Sequence, residues 1–414
     1  MSSDSGRRAE ILETAAALFA SHGLRVSLQE IADACGILPG SLYHHFDSKE
    51  AIVLELVRRY RHDLDEVAAE ALRTDAASAR APMEERIVDF GRAMAACGVR
   101  HRAALLLTLY EPPTVLGEEL ADLARDASTA MVGAMLALLD EARASGALRT
   151  EVDVALLSDR LCQSMLHVGV GVSHVTPGAE HVPELRLHIL LHGIAVRSPS
   201  DDVLDGSGPI KAVEKVVAAW DEDVDDGDAR RAHLQAVARK EFGRRGFEAT
   251  TMRDIATAGG LSTGTVYRSF RSKDELLVSI MRSYSDKARS AWTAVLESEG
   301  SPLEKLDALV CANIHLLDRF SDEFRIQLAW LRQSPPSTPD LGKWFRWHLR
   351  QIRTLLTDGA EAGELRINGA SADIRARCVY EATVTPPGIV RAGGIRRAQC
   401  LARNTVLRGA LVHT

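Results

Sequence analysis

Residues 27–50 read SLQEIADACGILPGSLYHHFDSKE, and residues 251–274 read TMRDIATAGGLSTGTVYRSFRSKD. The two stretches share Ile-Ala, two glycines, Tyr-x-x-Phe and Ser-Lys, all at a constant offset of 224 positions. This period is far longer than the roughly 20 to 50 residues of a solenoid repeat, so it predicts two copies of one domain. The working hypothesis is that one polypeptide carries two helix-turn-helix heads.

Each copy contains the parts of a small DNA-reading unit: a helix across the phosphate backbone, a tight turn, and a short helix for the major groove. In the first copy Ile31 and Ala32 place a bulky and a small apolar side chain where two short helices cross, and Gly36 permits the turn. Tyr43 and Phe46 share a helix face, so Phe46 can hold the second helix to the core while the Tyr43 hydroxyl reaches a phosphate. The second copy repeats these residues as Ile255, Ala256, Gly260, Tyr267 and Phe270.

The composition of the 414 residues favours an all-α chain, because Ala, Leu and Arg are abundant, aromatic residues make up only 5%, and alternating β-branched runs are missing. At roughly 100 to 200 residues per domain, this length fits two domains. No apolar run approaches the roughly 20 residues that span a bilayer, and the polar start has no signal-peptide core. We therefore expect a cytoplasmic protein.

The formal net charge of −7 hides an asymmetry along the chain. Residues 1–200 hold 19 Lys and Arg against 28 Asp and Glu, residues 201–226 hold 2 against 9, and residues 227–414 hold 29 against 20. Phosphate attraction depends on local clusters of cations, so the acidic total does not exclude DNA binding. The second half is predicted to be the better DNA binder on electrostatic grounds.

A shift to Asp, Ser, Gly and Pro over residues 198–228 separates the two copies, with a short helix predicted over 210–220. We interpret the acidic run 221–228 as a solvated connector; the other interpretation is a DNA-mimicking inhibitory segment. Long periodic helices predict a bundle after each head, with final helices over 181–196 and 394–412. The predicted domains are a helix-turn-helix head over 1–48, a helical regulatory domain over 49–197, an acidic linker over 198–226, a second head over 227–272 and a second regulatory domain over 273–414.

Both signatures resemble those of the TetR family of transcriptional regulators: a helix ending in Gly, then Thr-Thr or Ser, Ile-Ala, Gly and an aliphatic residue, Tyr-x-x-Phe and Lys. The second copy, GFEATTMRDIATAGGLSTGTVYRSFRSKDELL, fits this pattern almost throughout. The first, GLRVSLQEIADACGILPGSLYHHFDSKEAIV, is one residue shorter between Gly23 and Leu28, which can tilt its recognition helix. HILLHGI (188–194) and NTVLRGAL (404–411) look like the family's final helix.

The resemblance implies which side chains meet operator DNA. Base edges would be read by Pro39, Ser41 and His44 in the first copy and by Thr263, Thr265 and Arg268 in the second. Phosphates would be held by Tyr43, Lys49, Thr251, Tyr267 and Lys273; the two lysines begin helices whose N-termini already favour anions. For either tyrosine alone, the alternative interpretation is ordinary core packing.

Two patterns suggest other chemistry. Gly260 to Gly264 matches the G-x-S-x-G nucleophile pattern, but that pattern needs a preceding strand and the residues here are predicted helical. We interpret the match as chance and Ser262 as a helix cap. His188 and His192 have the spacing of two metal ligands, but no acidic residue or third histidine is in register. We predict that the protein is not an enzyme and has no cofactor and no metal site.

The resemblance also implies a ligand cavity inside each helical bundle. The candidate lining residues are polarizable or aromatic: Met94, His101, Tyr110, Met135 and Met165 in the first bundle, and Phe324, Trp330, Trp344 and Trp347 in the second. The alternative is that they are ordinary core residues at helical spacing. The expected effector is a small apolar molecule that binds preferentially to a form whose heads are wrongly spaced for DNA. The helix that begins at Lys49 or Lys273 runs from the head into the bundle, so we expect this lever helix to couple ligand binding to head spacing.

Three functional hypotheses follow. The first is a ligand-responsive repressor whose two copies pair internally as a pseudo-dimer, alone or within a homodimer, and read two unlike half-sites, because the recognition helices differ at exposed positions. In the second, copy two alone reads DNA and copy one is a degenerate dimerisation or sensor module. The third, from a different class, is a small-molecule enzyme or binding protein with vestigial heads.

Overall fold

The computed structural model describes residues 2–23, 26–73, 81–108, 119, 122–123, 129–171, 179–222, 229–247, 250–333 and 341–412. Within these ranges the backbone is mainly helical and holds no β-strand, only two isolated bridges. The prediction of an all-α chain with two tandem units is confirmed. Over these ranges, none of the helices combines the length with the hydropathy that a membrane span requires.

The first unit consists of a three-helix head and a bundle. The head contains α1 (Ser2–His22), α2 (Leu28–Ala34) and α3 (Pro39–His45). The bundle contains α4 (Lys49–Ala71), α5 (Met83–Arg100), α6 (Arg102–Thr108), α7 (Thr129–Ala144), α8 (Val154–Gly171) and α9 (Val182–His192). Helix α4 begins directly after the head and packs against α5, α6 and α7, so it connects the head with the bundle.

The second unit repeats this order after two connecting helices, α10 (Asp201–Asp205) and α11 (Gly208–Glu222). Its head contains α12 (Ala229–Arg245), α13 (Met252–Ala258) and α14 (Thr263–Ser269). Its bundle contains α15 (Lys273–Glu297), α16 (Pro302–Arg319), α17 (Ser321–Gln333), α18 (Leu341–Glu361), α19 (Ala372–Thr383), α20 (Pro387–Ala402) and the π-helical segment Arg403–Leu407.

Local capping explains where the short helices of each head begin. The Ser27 hydroxyl accepts a hydrogen bond from the Glu30 amide at 3.2 Å, and the Glu30 carboxylate accepts one from the Ser27 amide at 2.7 Å. Thr251 starts α13 with the same reciprocal capping box. In the turn that follows, Gly36 and Gly260 both adopt a φ of +65°, where a Cβ atom would be strained. Both predicted turn glycines are confirmed.

Between the two units, the described residues up to 222 pack against the second unit, whereas residues 223–228 of the run predicted to be a solvated connector lie outside the described residues. The short helix predicted over 210–220 lies inside α11, which packs against α15 and α16. The Arg403 guanidinium binds the Asp307 carboxylate through Nε–Oδ1 and Nη2–Oδ2 distances of 2.9 and 2.8 Å, and it binds Asp205 of α10 at 2.7 Å. Since Arg403 is only 1% exposed, this network anchors α10 to the end of the second unit.

The apolar core divides unequally between the two heads. The first head belongs to one continuous core that also includes both bundles. The second head has a separate cluster around Phe242, Ile255 and Phe270, which Ile326 of α17 completes. Tyr284 on α15 packs against both clusters. Among the described residues, the second head is therefore the more independent apolar body.

The final helices of the two units pack against each other in a reciprocal pattern. Helix α9 of the first unit packs against α19 and the π-helical segment of the second, while α20 of the second unit packs against α8 of the first. Arg160 of α8 donates a hydrogen bond to the Ala382 carbonyl of α19 at 2.7 Å, and Arg397 of α20 pairs with Asp153 at the start of α8.

The backbone segments after the final helices also contact the other unit in a reciprocal way. Eight hydrogen bonds between described residues of the two units, with donor–acceptor distances of 2.7–3.2 Å, form four equivalent pairs. In each bond the amide named first donates to the carbonyl named second. The pairs are Ile194 to Val406 with Ala410 to Leu190; Ala195 to Leu407 with Leu411 to Leu191; Val196 to Glu364 with Val412 to Ala147; and Arg366 to Ile194 with Arg149 to Ala410.

Two glycines explain why the final helices end early. Gly193 and Gly409 have φ values of +71° and +78° and lie against each other's chain: a Cβ atom on Gly193 would lie 2.2 Å from the Leu407 carbonyl oxygen, and one on Gly409 would lie 2.2 Å from the His192 carbonyl carbon. The expected helices over 181–196 and 394–412 are corrected accordingly. Helix α9 ends at His192. The range of α20 is interrupted by a kink at Gly394, where φ is +73°, so the last helical segment begins after Gly394, close to its predicted start, and ends at Leu407.

Candidate nucleic-acid interface

The recognition helices α3 and α14 are each seven residues long and present matching faces. Phe46 and Phe270, which directly follow them, are buried, whereas Tyr43 and Tyr267 are 52% and 51% exposed. The prediction that the phenylalanine holds the helix to the core is confirmed. Core packing is excluded as the role of either tyrosine, because half of each side chain faces solvent.

An arginine from the first helix of each head clamps its recognition helix. The Arg8 guanidinium lies 4.1 Å from the Phe46 ring centroid and donates a hydrogen bond to the His45 carbonyl at 2.5 Å. Arg231 makes the same two kinds of contact in the second head. Sequence reasoning missed both residues; the available signal was an Arg-Arg pair in each first helix, 223 rather than 224 positions apart. Because both heads keep the clamp, the shorter first copy still seats its recognition helix.

The predicted base-reading side chains differ in exposure. The equivalent residues His44 and Arg268 are exposed, and the remaining four, Pro39, Ser41, Thr263 and Thr265, are half-buried. The Thr265 hydroxyl accepts a hydrogen bond from Arg268 at 3.0 Å and lies 2.9 Å from the Ser262 hydroxyl. The second head therefore carries a hydrogen-bonded polar row along α14.

Several of the predicted phosphate-binding side chains already have partners within the head. The Thr251 hydroxyl donates to the Asp254 carboxylate at 2.7 Å as part of the capping box. Lys273 donates to the Phe247 carbonyl at 2.8 Å and lies 4.3 Å from that ring's centroid. Lys49 and Lys273 are both half-buried at the first position of their helices. These contacts hold the cation of Lys273 beside the N-terminus of α15.

The exposed charges of the two heads are unlike. Where the second head exposes Arg268 and Arg271, the first exposes His44 and Asp47 at the equivalent positions. Two guanidinium cations thus correspond to an imidazole and a carboxylate. Because attraction to phosphate follows local cations, this difference favours the second head in electrostatic attraction to DNA.

The residues of the nucleophile-like and metal-ligand-like patterns, Ser262 and His192, have hydrogen-bond partners within the protein. The Ser262 hydroxyl accepts a hydrogen bond from the Thr265 amide at 3.2 Å and caps α14, as predicted. His192 lies 2.6 Å from a Glu84 carboxylate oxygen, and its ring centroid lies 4.6 Å from that of His188. Among the described residues, His, Cys, Asp and Glu side chains form no group of three or more that could hold a metal ion.

The candidate pocket residues of the first bundle divide into a buried group and one polar residue. Met94, Met135 and Met165 are fully buried on α5, α7 and α8, which pack on one another. His101 follows α5, and its Nε2 lies 2.7 Å from Asp63 Oδ2. Burial would raise the pKa of Asp63, but His101 and Arg100 outweigh it and hold that pKa below its usual value. Tyr110 lies outside the described residues.

The second bundle contains a cluster of aromatic rings that includes Trp347, one of its predicted pocket residues. Trp292 packs edge-on against His348 with a centroid distance of 4.2 Å, and its indole donates a hydrogen bond to Asn313 at 3.0 Å. Trp347 joins this cluster, with its ring centroid 6.1 Å from that of Trp292, and Phe324 is half-buried against the main core. The side chains of Trp330 and Trp344 lie outside the described residues.

A further open groove of about 920 Å³ lies between α11 and α15, with Lys215, Trp220 and Arg282 among its lining. The candidate pocket residues that the structure describes do not line this groove.

Comparison with known proteins identifies relatives of both units. The family described as "Bacterial regulatory proteins, tetR family" matches at residues 11–56 and 234–280. The HTH-type transcriptional repressor KstR2 of Rhodococcus jostii (strain RHA1) is 33% identical over 203 residues, which cover 47% of this chain and 94% of that repressor. KstR2 of Mycobacterium tuberculosis (strain ATCC 25618 / H37Rv) is 54% identical over 71 residues, or 15% of this chain and 36% of that repressor.

One solved structure is the ketosteroid transcriptional regulator KstR2 of Mycobacterium tuberculosis. It is 26% identical, and the match covers 43% of this chain and 91% of that one with a TM-score of 0.37.

Proposed function

The chain belongs to the TetR family of bacterial regulatory proteins and carries two tandem units of that family, and from this premise we propose that it is a repressor whose two heads read two unlike half-sites of one operator. A small apolar effector releases it from DNA. We propose that it acts in the cytoplasm. We also propose that its domains have the predicted boundaries, with α10 and α11 packed against the second unit.

The observation that carries the proposal is the reciprocal contact between the ends of the two units. In a two-fold dimer, residue i of one subunit contacts j of the other, and j contacts i in return. The eight backbone hydrogen bonds obey this rule within one chain, since Val196 binds Glu364 while its counterpart Val412 binds Ala147. This pattern supports an internal pseudo-dimer, in which one chain supplies both heads.

Two unlike half-sites are supported by the exposed faces of the heads. His44 and Asp47 of the first head correspond to Arg268 and Arg271 of the second. Arginine reads guanine edges as a bidentate donor, a contact that a histidine does not reproduce. We propose that Arg268 reads a base in one half-site, that His44 reads a different base in the other, and that Tyr43 and Tyr267 hold equivalent phosphates.

The effector step is proposed from the buried side chains of the bundles. Met94, Met135 and Met165 are fully buried in the first bundle, and we propose that these flexible side chains line its effector site. The lever helices α4 and α15 connect each head to its bundle, so a ligand that prefers one arrangement of the bundle helices biases head spacing. The runner-up is that the second head alone reads DNA, which its two exposed arginines favour.

Light scattering combined with DNase footprinting tests the proposal. One chain has a mass of 45.0 kDa, and we expect one chain per operator with both half-sites protected. The variant Tyr43→Ala/His44→Ala should lose protection over one half-site, and the matched variant Tyr267→Ala/Arg268→Ala should lose it over the other. Unchanged operator affinity in the first variant would support the runner-up. Two chains that bind a perfect palindrome through one kind of head would refute the internal pair.

A further inference from the structure

Leu38 lies at the start of the first recognition helix and is 79% exposed, the highest value among the exposed large apolar side chains of the described residues. It occupies the N-cap position of α3 and makes no side-chain capping bond. At the equivalent position of the second head, Ser262 caps α14 through the Thr265 amide. Leucine is a poor N-cap, and its exposure keeps an apolar side chain in water. The residue is therefore unfavourable for the stability of the free head.

The position of Leu38 suggests what offsets this cost. In helix-turn-helix proteins the N-terminal residues of the recognition helix meet the base edges in the major groove. The apolar group that a base edge presents there is the thymine 5-methyl group, which apolar side chains contact. Tyr43 and His44 are exposed on the same short helix. Of these three exposed side chains, Leu38 is the aliphatic one.

We propose that Leu38 reads one thymine through its 5-methyl group in the half-site bound by the first head. The inference rests on the proposed function, because it requires the first head to contact DNA. It also predicts an asymmetry: the second head, with the Ser262 hydroxyl at this position, makes no equivalent methyl contact. Leu38 is thus a specificity-determining residue for one half-site only.

The test uses an operator selected by the purified full-length chain from a random DNA duplex library. Each thymine of the selected operator is then replaced singly by deoxyuridine, which removes the methyl group and leaves base pairing unchanged. We expect one replacement, in the first head's half-site, to weaken wild-type binding about fourfold, because the complex loses the contribution of burying one methyl group. Replacements in the other half-site should affect wild type and Leu38→Ala alike, because residue 38 does not contact that half-site.

Variants at Leu38 assign the effect to this side chain. Leu38→Ala should bind the thymine and deoxyuridine operators equally, while Leu38→Met, which keeps an apolar side chain of similar size, should restore most of the fourfold difference. Leu38→Ser copies the second head and should also be indifferent to the methyl group, with helix content by circular dichroism as the check on folding.

Two outcomes separate the possible failures. If deoxyuridine has no effect at any thymine of this half-site, or has the same effect on wild type and Leu38→Ala, the reading role of Leu38 is refuted while the proposed function stands. If the selection enriches no sequence, or if Tyr43→Ala/His44→Ala binds the operator as wild type does, the premise that the first head reads DNA fails, and this inference fails with it.

Discussion

Replacing Gly409 by alanine should weaken the pairing of the two units, because a Cβ atom there would clash with the other unit. A control glycine with a similar backbone conformation allows the cost of this clash to be measured apart from the cost of the backbone conformation. The backbone at Gly409 has a φ of +78°, and an alanine Cβ would lie 2.2 Å from the His192 carbonyl carbon. Carbon atoms pack at about 3.5–4.0 Å, so the tail would have to move by more than about 1 Å. Such a shift breaks the hydrogen bonds from the Ala410 and Leu411 amides to α9, which are 3.2 and 2.8 Å long.

The expected cost combines two contributions. A left-handed backbone on alanine costs about 1 kcal/mol, and each lost backbone hydrogen bond costs about 1 kcal/mol. The free energy of unfolding should therefore fall by about 3 kcal/mol in Gly409→Ala. Gly363→Ala is the matched control: Gly363 has a φ of +69°, but a Cβ atom there would have no atom within 4 Å among its described surroundings. That variant should lose only about 1 kcal/mol.

Urea unfolding followed by circular dichroism measures both variants under identical conditions. A difference of about 2 kcal/mol between them isolates the contact between the units. In footprints, Gly409→Ala should lose joint occupancy of the two half-sites, and Gly363→Ala should retain it. Equal destabilisation of the two variants would refute the reasoning, because it would show that the close approach at Gly409 carries no energy.

Three other changes probe the heads and the linker. Arg231→Ala removes the clamp on α14 and should destabilise the second head by about 1–2 kcal/mol, which hydrogen exchange of that head measures. Arg271→Asp, which copies the first head, should reduce the slope of log affinity against log salt by about 1, and an unchanged slope would show that Arg271 meets no phosphate. Burial would raise the pKa of Asp205, but Arg396 and Arg403 outweigh it and hold that pKa below its usual value. The stability that Asp205 contributes is thus complete above the ordinary aspartate pKa and is lost as pH falls through the lowered value; Asp205→Asn should flatten this part of a stability–pH profile.

The heads could be predicted in detail because their determinants are local. The Ser262 cap, the turn glycines, and the alternation of exposed Tyr43 with buried Phe46 each depend on one short stretch of sequence, and the structure confirms each. The arginine clamps were missed because Arg8 acts across 37 positions, on the His45 carbonyl, and lies outside the register of the repeat. Side-chain spacing along one helix carries no information about such a contact.

The ends of the units could not be predicted for the same reason. The residues after Gly193 and Gly409 look like helix continuations when each copy is read alone, but their amides bond to the other unit. Within the predicted linker 198–226, the contact between Asp205 and Arg403, nearly 200 positions later in the chain, could likewise not be predicted. Partners so distant are set by the packing of the units and not by local sequence pattern.

Fusion of the units changes what each head can become. In a dimer of identical subunits, a change in one recognition helix alters both half-sites at once, since symmetry copies it. In the proposed arrangement this constraint is absent: Leu38 and His44 differ from their counterparts Ser262 and Arg268, while the glycines at the contact between the units, Gly193 and Gly409, are the same in both copies. The contact fixes the pairing of the units through the backbone, which tolerates no Cβ atom at either glycine. The exposed faces of the heads make no such contact, so they are free to diverge toward different bases.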